Sequence, residues 1–273
     1  MPEGSCIVFR NRFRGSSTVR STFVRRSVMT ASAVSLALLA TACGSSDSKG
    51  EAKADAPAPA ASSAAPAKGK TDAELAGVIV KQADLPDHLV KEATAAEAAA
   101  GAAATSDKPD CLPLVKAQSM APVGKAAGTA RTKAVAKPKD GGAADTPDAK
   151  MKAIMDALGA NATAVTLSSY DGKGAEEAFA ALKNAGTACA AGYGVTQDGE
   201  SAKVTKVAPG TPVTAGDEAL AYTVEADSDG TKISTQLVVV RKANTVATFS
   251  ALSLKGTAEQ PKAVVDAQVK KLG

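Results

Sequence analysis

Residues 162–254 constrain the fold more than any other part of the chain. Six short alternating runs, each of strand length, follow one another at 162–170, 192–197, 202–208, 218–226, 232–242 and 245–254. The tetrapeptides "DSDG" and "RKAN" separate the last three as hairpin turns. Parallel neighbours need a long crossover, so strands joined this tightly pair antiparallel. One helix interrupts the series, "AEEAFAALKNAGTAC", which places Ala178, Phe179, Leu182 and Cys189 near one face. Another closes the chain, with Val264, Val265, Gln268, Val269 and Leu272 at helical spacing. The expectation is an α+β domain, an antiparallel sheet with helices packed on one face.

Structure is expected to begin at Thr71. "TDAE" reads as a capping box, with Leu75, Val78 and Ile79 following at helical spacing. "ADLPDHL" ends that helix, with Pro86 as the breaker and His88 in the loop after it. "ATAAEAAAGAAAT" reads as an alanine-rich helix, and "DKPDCLPLV" brings Cys111 to a proline-flanked turn. "GKAAGTARTKAVAKPKDGGAADTPD" reads as a loop, giving a mobile stretch near 116–145. Thr146 then caps a helix whose stripe is Met151, Ile154, Met155 and Leu158, ended by Gly159. Upstream, 44–70 holds no large apolar residue and cannot offset its own conformational entropy, so a disordered tether is expected.

The first 42 residues form a different unit. An uncharged run at 27–42 follows Arg20, Arg25 and Arg26 and is shorter than the roughly 20 residues of a membrane span. A basic start, a short apolar run and small residues before a cut make up a signal peptide. Leu39-Ala40-Thr41-Ala42-Cys43 resembles the bacterial lipobox. That resemblance implies cleavage before Cys43, diacylglycerylation of its thiol and acylation of the new N-terminus, palmitate included. Two or more acyl chains hold a protein on a membrane, at ~0.8 kcal/mol per buried methylene. Ordinary secretory cleavage after Ala42 and an uncleaved signal anchor are the alternatives. Arg25-Arg26 weakly resembles a twin-arginine export signal, with general export as the alternative. Residues 1–18 look unlike a leader, which suggests a translation start at Val19.

Charge excludes one class of partner. The whole chain carries 32 basic and 28 acidic residues, but residues 1–42 hold six arginines and one acid, Glu3. The remainder has 26 basic and 27 acidic residues, so no basic field draws nucleic acid. Of the four cysteines, Cys6 lies in the leader and Cys43 in the lipobox. Cys111 and Cys189 remain as an even pair in an oxidising compartment, and a disulfide between them is expected. Two cysteines and one histidine do not make a tetrahedral metal site, and no cofactor is expected.

Taken in order, "L…ADLP", "DCLPL", "AVTLSSY", a helix ending in Cys189, "GDEALAYTV" and "LVVVRKANTVATFSAL" form a recognisable set. Across 71–272 they resemble the extracytoplasmic sensor domain of actinobacterial serine/threonine receptor kinases and its stand-alone lipoprotein relatives. The resemblance implies an antiparallel sheet flanked by helices, with a groove between them for a ligand. It also implies a structural role for Asp217 and Glu218 at the sheet end. The chain departs from that pattern in lacking a second cysteine pair, a tryptophan near the later cysteine, and a kinase domain. Only a sensing or binding role carries over.

No chemistry-bearing constellation competes with that reading. His88, the one histidine, has no nucleophile motif to serve. "EADSDGTKISTQ" has Asp227, Asp229 and Gly230 at EF-hand offsets, but Glu225 and Gln236 at its ends read better as a hairpin. "GYGVTQ" lacks the last glycine of a dinucleotide fingerprint. Adjacent Glu176 and Glu177 point to different helix faces. The expected function is a lipid-anchored extracytoplasmic binding or sensor-like lipoprotein without catalytic activity, on the outer face of the cell membrane. Its partners would be the membrane, through the anchor, and a small molecule or protein not identified by the sequence. The alternative is a carrier of lipid or other hydrophobic molecules at the cell envelope. A cell-wall enzyme and a docking protein rank lower. Partly buried aromatics supply contact energy in pockets, which nominates Tyr170, Tyr193, Tyr222 and Phe249 as the groove's border. The competing reading makes all four ordinary core residues.

Overall fold

The computed structural model describes residues 67–137, 162–228, 230–253 and 257–273. The leader, Cys43, the tether up to residue 66 and the helix expected at 146–158 lie outside the described residues.

Nine antiparallel strands form one sheet. They are β1 His88–Glu92, β2 Thr105–Ser106, β3 Gly128–Ala136, β4 Ala162–Ser169, β5 Tyr193–Gln197, β6 Glu200–Pro209, β7 Glu218–Ser228, β8 Thr231–Lys242 and β9 Thr245–Ser253. Their order across the sheet is β1-β3-β4-β9-β8-β7-β6-β5-β2. The helices are α1 Asp72–Val78, α2 Ala95–Ala103, α3 Leu112–Gln118, α4 Gly174–Ala188 and α5 Lys262–Leu272. The α+β class is as the sequence predicts. Among the described residues, no helix is long and apolar enough to cross a membrane.

Helices lie on both faces of the sheet, not on one. Strand β8 shows why, because Leu237, Val238, Val239 and Val240 are all fully buried. Leu237 and Val239 pack with Leu114 and Val115 of α3 and with Phe179 and Leu182 of α4. Val238 and Val240 pack with Leu75 of α1 and with Val264 and Val265 of α5. Successive strand side chains point to opposite faces, so a continuous apolar run needs cover on each. The second layer is fastened by Gln268, itself fully buried. Its Oε1 accepts from the Val80 amide at 2.9 Å and its Nε2 donates to the Val78 carbonyl at 2.9 Å.

Part of the stretch expected to be mobile is ordered. Residues 128–136 form β3, paired with both β1 and β4. Ala130, Thr132 and Ala134 are buried on one face. The alternation is present in the sequence but is written in small and charged residues, which mask it. Residues 138–145 lie outside the described residues. His88 opens edge strand β1 instead of sitting in a loop.

The ordered chain also begins earlier than Thr71. Asp171 Oδ1 accepts from the Gly69 amide at 2.8 Å, and Ser169 Oγ accepts from the Lys70 amide at 2.9 Å. Asn244 Nδ2 donates to the Lys68 carbonyl at 2.6 Å. This docking needs Gly128, where a Cβ would lie 2.4 Å from the Lys70 carbonyl oxygen. Residues 68–70, which the sequence reading puts in the tether, are thus bonded to the domain. The Thr71 capping box is formed, with Glu74 Oε2 accepting from the Thr71 amide at 2.7 Å. A second box at Thr94 and Glu97 starts α2.

The disulfide is present. Cys111 and Cys189 are joined across 78 residues, tying the start of α3 to the end of α4. Asp217 Oδ2 accepts from the Ala243 amide at 2.6 Å and Glu218 pairs with Arg241 at 2.6 Å, which clasps the β8–β9 turn at the sheet end. At the "DSDG" stretch β7 and β8 pair as a hairpin, Ser228 opposite Thr231, with Asp227 accepting from the Gly230 amide at 2.8 Å.

Candidate functional site

Helices α3 and α4 cover only part of their face of the sheet. Beyond the C-terminal end of α3 no described helix covers the face, and the strands form a concave groove of about 580 Å³. Its floor consists of two rows of side chains running across the sheet. The first is Leu89, Val135, Ala162, Leu252 and Thr235, each the cross-strand neighbour of the next. The second is Lys91, Lys133, Ala164 and Ser250, matched in the same way. Val195, Ala202, Val204 and Ala226 line one wall, and Val115, Gln118 and Ser119 of α3 line the other.

The hollow exists because of side-chain size. Four lining positions are alanine, at 162, 164, 202 and 226, where a larger residue would fill the space. The α3 wall is bonded to β5. Gln118 Nε2 donates to the Tyr193 hydroxyl at 2.9 Å, and Ser119 Oγ donates to Gln197 Oε1 at 3.1 Å. Gly101 of α2 allows that packing, because a Cβ there would lie 1.8 Å from the Ser119 carbonyl oxygen.

Lys91 and Lys133 are the only ionisable residues among the described lining residues. Lys133 pairs with Glu97 of α2. That bond, with the Thr94 amide and hydroxyl, holds the Glu97 carboxyl down to about 2. Lys91 is exposed, stands directly opposite Lys133, and has no ion-pair partner among the described residues. Leu89, two residues away on the same strand, is 53% exposed.

None of the four nominated aromatics lines this groove. Phe249 is fully buried on the opposite face, with α1 and α5. Tyr170 is buried, and its hydroxyl donates to the Val123 carbonyl at 2.9 Å. It borders a separate hollow beside the N-terminal end of α4. Tyr193 stands behind the α3 wall and steadies Gln118. Tyr222 packs under α4 where Gly186 leaves room for its ring. Burial pushes the Tyr170 and Tyr193 hydroxyls up to about 12. The structure thus separates the four residues that the sequence reading grouped. The described residues that do line the groove are aliphatic side chains, alanines, uncharged polar groups and two lysines, which carry no sequence signal of a site. His88 lies outside the lining, with a buried Nδ1 that has no hydrogen-bond partner. No cluster of three or more metal-ligating side chains occurs among the described residues.

No family model matches the chain. No curated protein matches it in sequence. Among solved structures, the chain is similar to the extracellular domain of PknH from Mycobacterium tuberculosis, at 12% identity and a TM-score of 0.42. The match covers 75% of this chain and 97% of that one. So loose a superposition carries no argument about the site.

Proposed function

We propose that the chain is a lipid-anchored, extracytoplasmic binding or sensor-like protein without catalytic activity, and that the concave groove holds its ligand. The groove carries this reading, since an apolar-floored concavity with a few polar groups at its edge is the usual form of a small-molecule site. Its size falls within the roughly 300–1,000 Å³ of such sites.

Lys70 docks at Ser169, at one end of β4, and the groove begins at Ala162, at the other. Seven strand steps separate them by about 24 Å.

Native mass spectrometry of the protein purified from its own membrane tests this. A bound small molecule is expected in addition to the acyl groups on Cys43, and its loss is expected in Ala164→Trp, which fills the floor. A folded wild-type protein with no non-covalent adduct would remove the basis for a binding role. The second reading, a carrier of hydrophobic molecules, is favoured by the exposed Leu89 at the open edge of the floor. Transfer of a labelled lipid between two vesicle populations, accelerated by the wild type and not by Ala164→Trp, would select the carrier.

A further inference from the structure

We propose that the groove takes an anionic single-chain amphiphile, with its acyl chain along Leu89, Val135, Ala162 and Leu252 and its head group on Lys91 beside Lys133. This rests on the groove being the ligand site. Three observations narrow the class.

The first is what the lining lacks. Among the described residues no aromatic side chain lines the groove, so they offer no platform on which to stack a sugar or a nucleobase. The described lining residues include no carboxylate either, so none of them draws a cation. The second is the floor, a continuous apolar row that runs from the exposed Leu89 on the edge strand toward the middle of the sheet. A row of this kind suits a flexible chain better than a compact polar solute.

The third is the charge. Lys91 and Lys133 face each other across β1 and β3, an arrangement that is unfavourable for like charges. Glu97 neutralises one of them. The other is left exposed at the end of the second row, one step along the strand face from the start of the apolar row. An anionic head bound there would relieve the repulsion while its chain covers Leu89. A carboxylate and a phosphate monoester share this chemistry.

The test is photo-crosslinking of the full-length protein in zwitterionic nanodiscs with a diazirine analogue of dodecanoate. Labelling is expected on β1, β3 and β9 and is competed by dodecanoate or dodecyl phosphate. Whichever of these two competes better identifies the head group. Dodecyltrimethylammonium should compete about two- to fivefold less well, the scale of one exposed ion pair gained or lost. Lys91→Glu, at an exposed position that leaves the fold intact, should abolish that preference. Competition should strengthen about fourfold per methylene from eight to twelve carbons, as expected for a chain leaving water.

Equal competition by the cationic amphiphile would overturn the head-group assignment and leave the groove as the site. A natively bound adduct that disappears in Ala164→Trp, with no labelling by the dodecanoate probe, would overturn the amphiphile class and keep the binding reading. Neither labelling nor a native adduct would remove both. A crosslinker at position 89 that captures residues 146–158, or a second copy of the chain, in place of the probe would also overturn the proposal.

Discussion

Breaking the Cys111–Cys189 bond should cost more stability than any other single chemical change, and the loss can be worked from the structure. The bond closes a loop across 78 residues. In the chain-entropy model, a loop of that length removes about 15 cal/mol/K from the unfolded chain, or about 4.5 kcal/mol at 25 °C. Both cysteines are almost wholly buried, at 1% and 0% exposure, so reduction also leaves two thiols in the core. For a domain of roughly 200 residues, 1 kcal/mol corresponds to about 2–4 °C, which puts the fall in Tm near 9–18 °C. Urea unfolding followed by circular dichroism, with and without reductant, measures it. The Cys111→Ala, Cys189→Ala double variant should match the reduced protein and be insensitive to reductant. Because the bond anchors α3, the α3 wall of the groove should gain hydrogen exchange in the same samples. A loss below about 1 kcal/mol would show that the unfolded chain is already confined there, and would refute the entropy argument for this domain.

Three further outcomes follow from particular contacts. Gln268→Leu strips partners from the Val80 amide and the Val78 carbonyl in the core and should cost about 2–4 kcal/mol in urea unfolding, since each buried unpaired group costs about 1–3. Gly101→Ala forces a methyl against the Ser119 carbonyl and should cost about 1–3 kcal/mol by overpacking, with the largest amide shifts at the C-terminal end of α3. The Tyr170 and Tyr193 hydroxyls are held near 12 in the fold, against about 10 unfolded, so the folded state keeps protons that the unfolded state releases. Stability should therefore hold below pH 10 and decline from pH 10 to 12, with tyrosinate absorbance rising together with unfolding; full tyrosinate absorbance at pH 11 in a folded protein would contradict this.

The sequence was most legible where local chemistry is strong. Thr71 with Glu74, the "DSDG" and "RKAN" turns and the period-two runs after residue 192 each specify backbone geometry over a few residues, and they appear where expected. Strand β3 was harder to read because Thr129, Arg131 and Lys133 alternate with Ala130, Thr132 and Ala134, and burial of such small residues leaves almost no hydropathy signal. The second helical layer was legible in principle from the unbroken "LVVV" run, but its assignment to a face depends on long-range pairing. The site was least legible. A hollow is made by what Ala162, Ala164, Ala202 and Ala226 lack, and a missing side chain has no motif. Tyrosine and phenylalanine attract attention as binding residues, yet here their size makes them core: Phe249 fills the far face, and Tyr193 braces a wall from behind.

The most direct test of the groove as a ligand site is a crystal structure of the protein extracted from its own membrane without delipidation. The account predicts continuous elongated density over Leu89, Val135, Ala162 and Leu252, ending beside Lys91. A groove holding only ordered water, in protein whose native mass shows no non-covalent adduct, would contradict it.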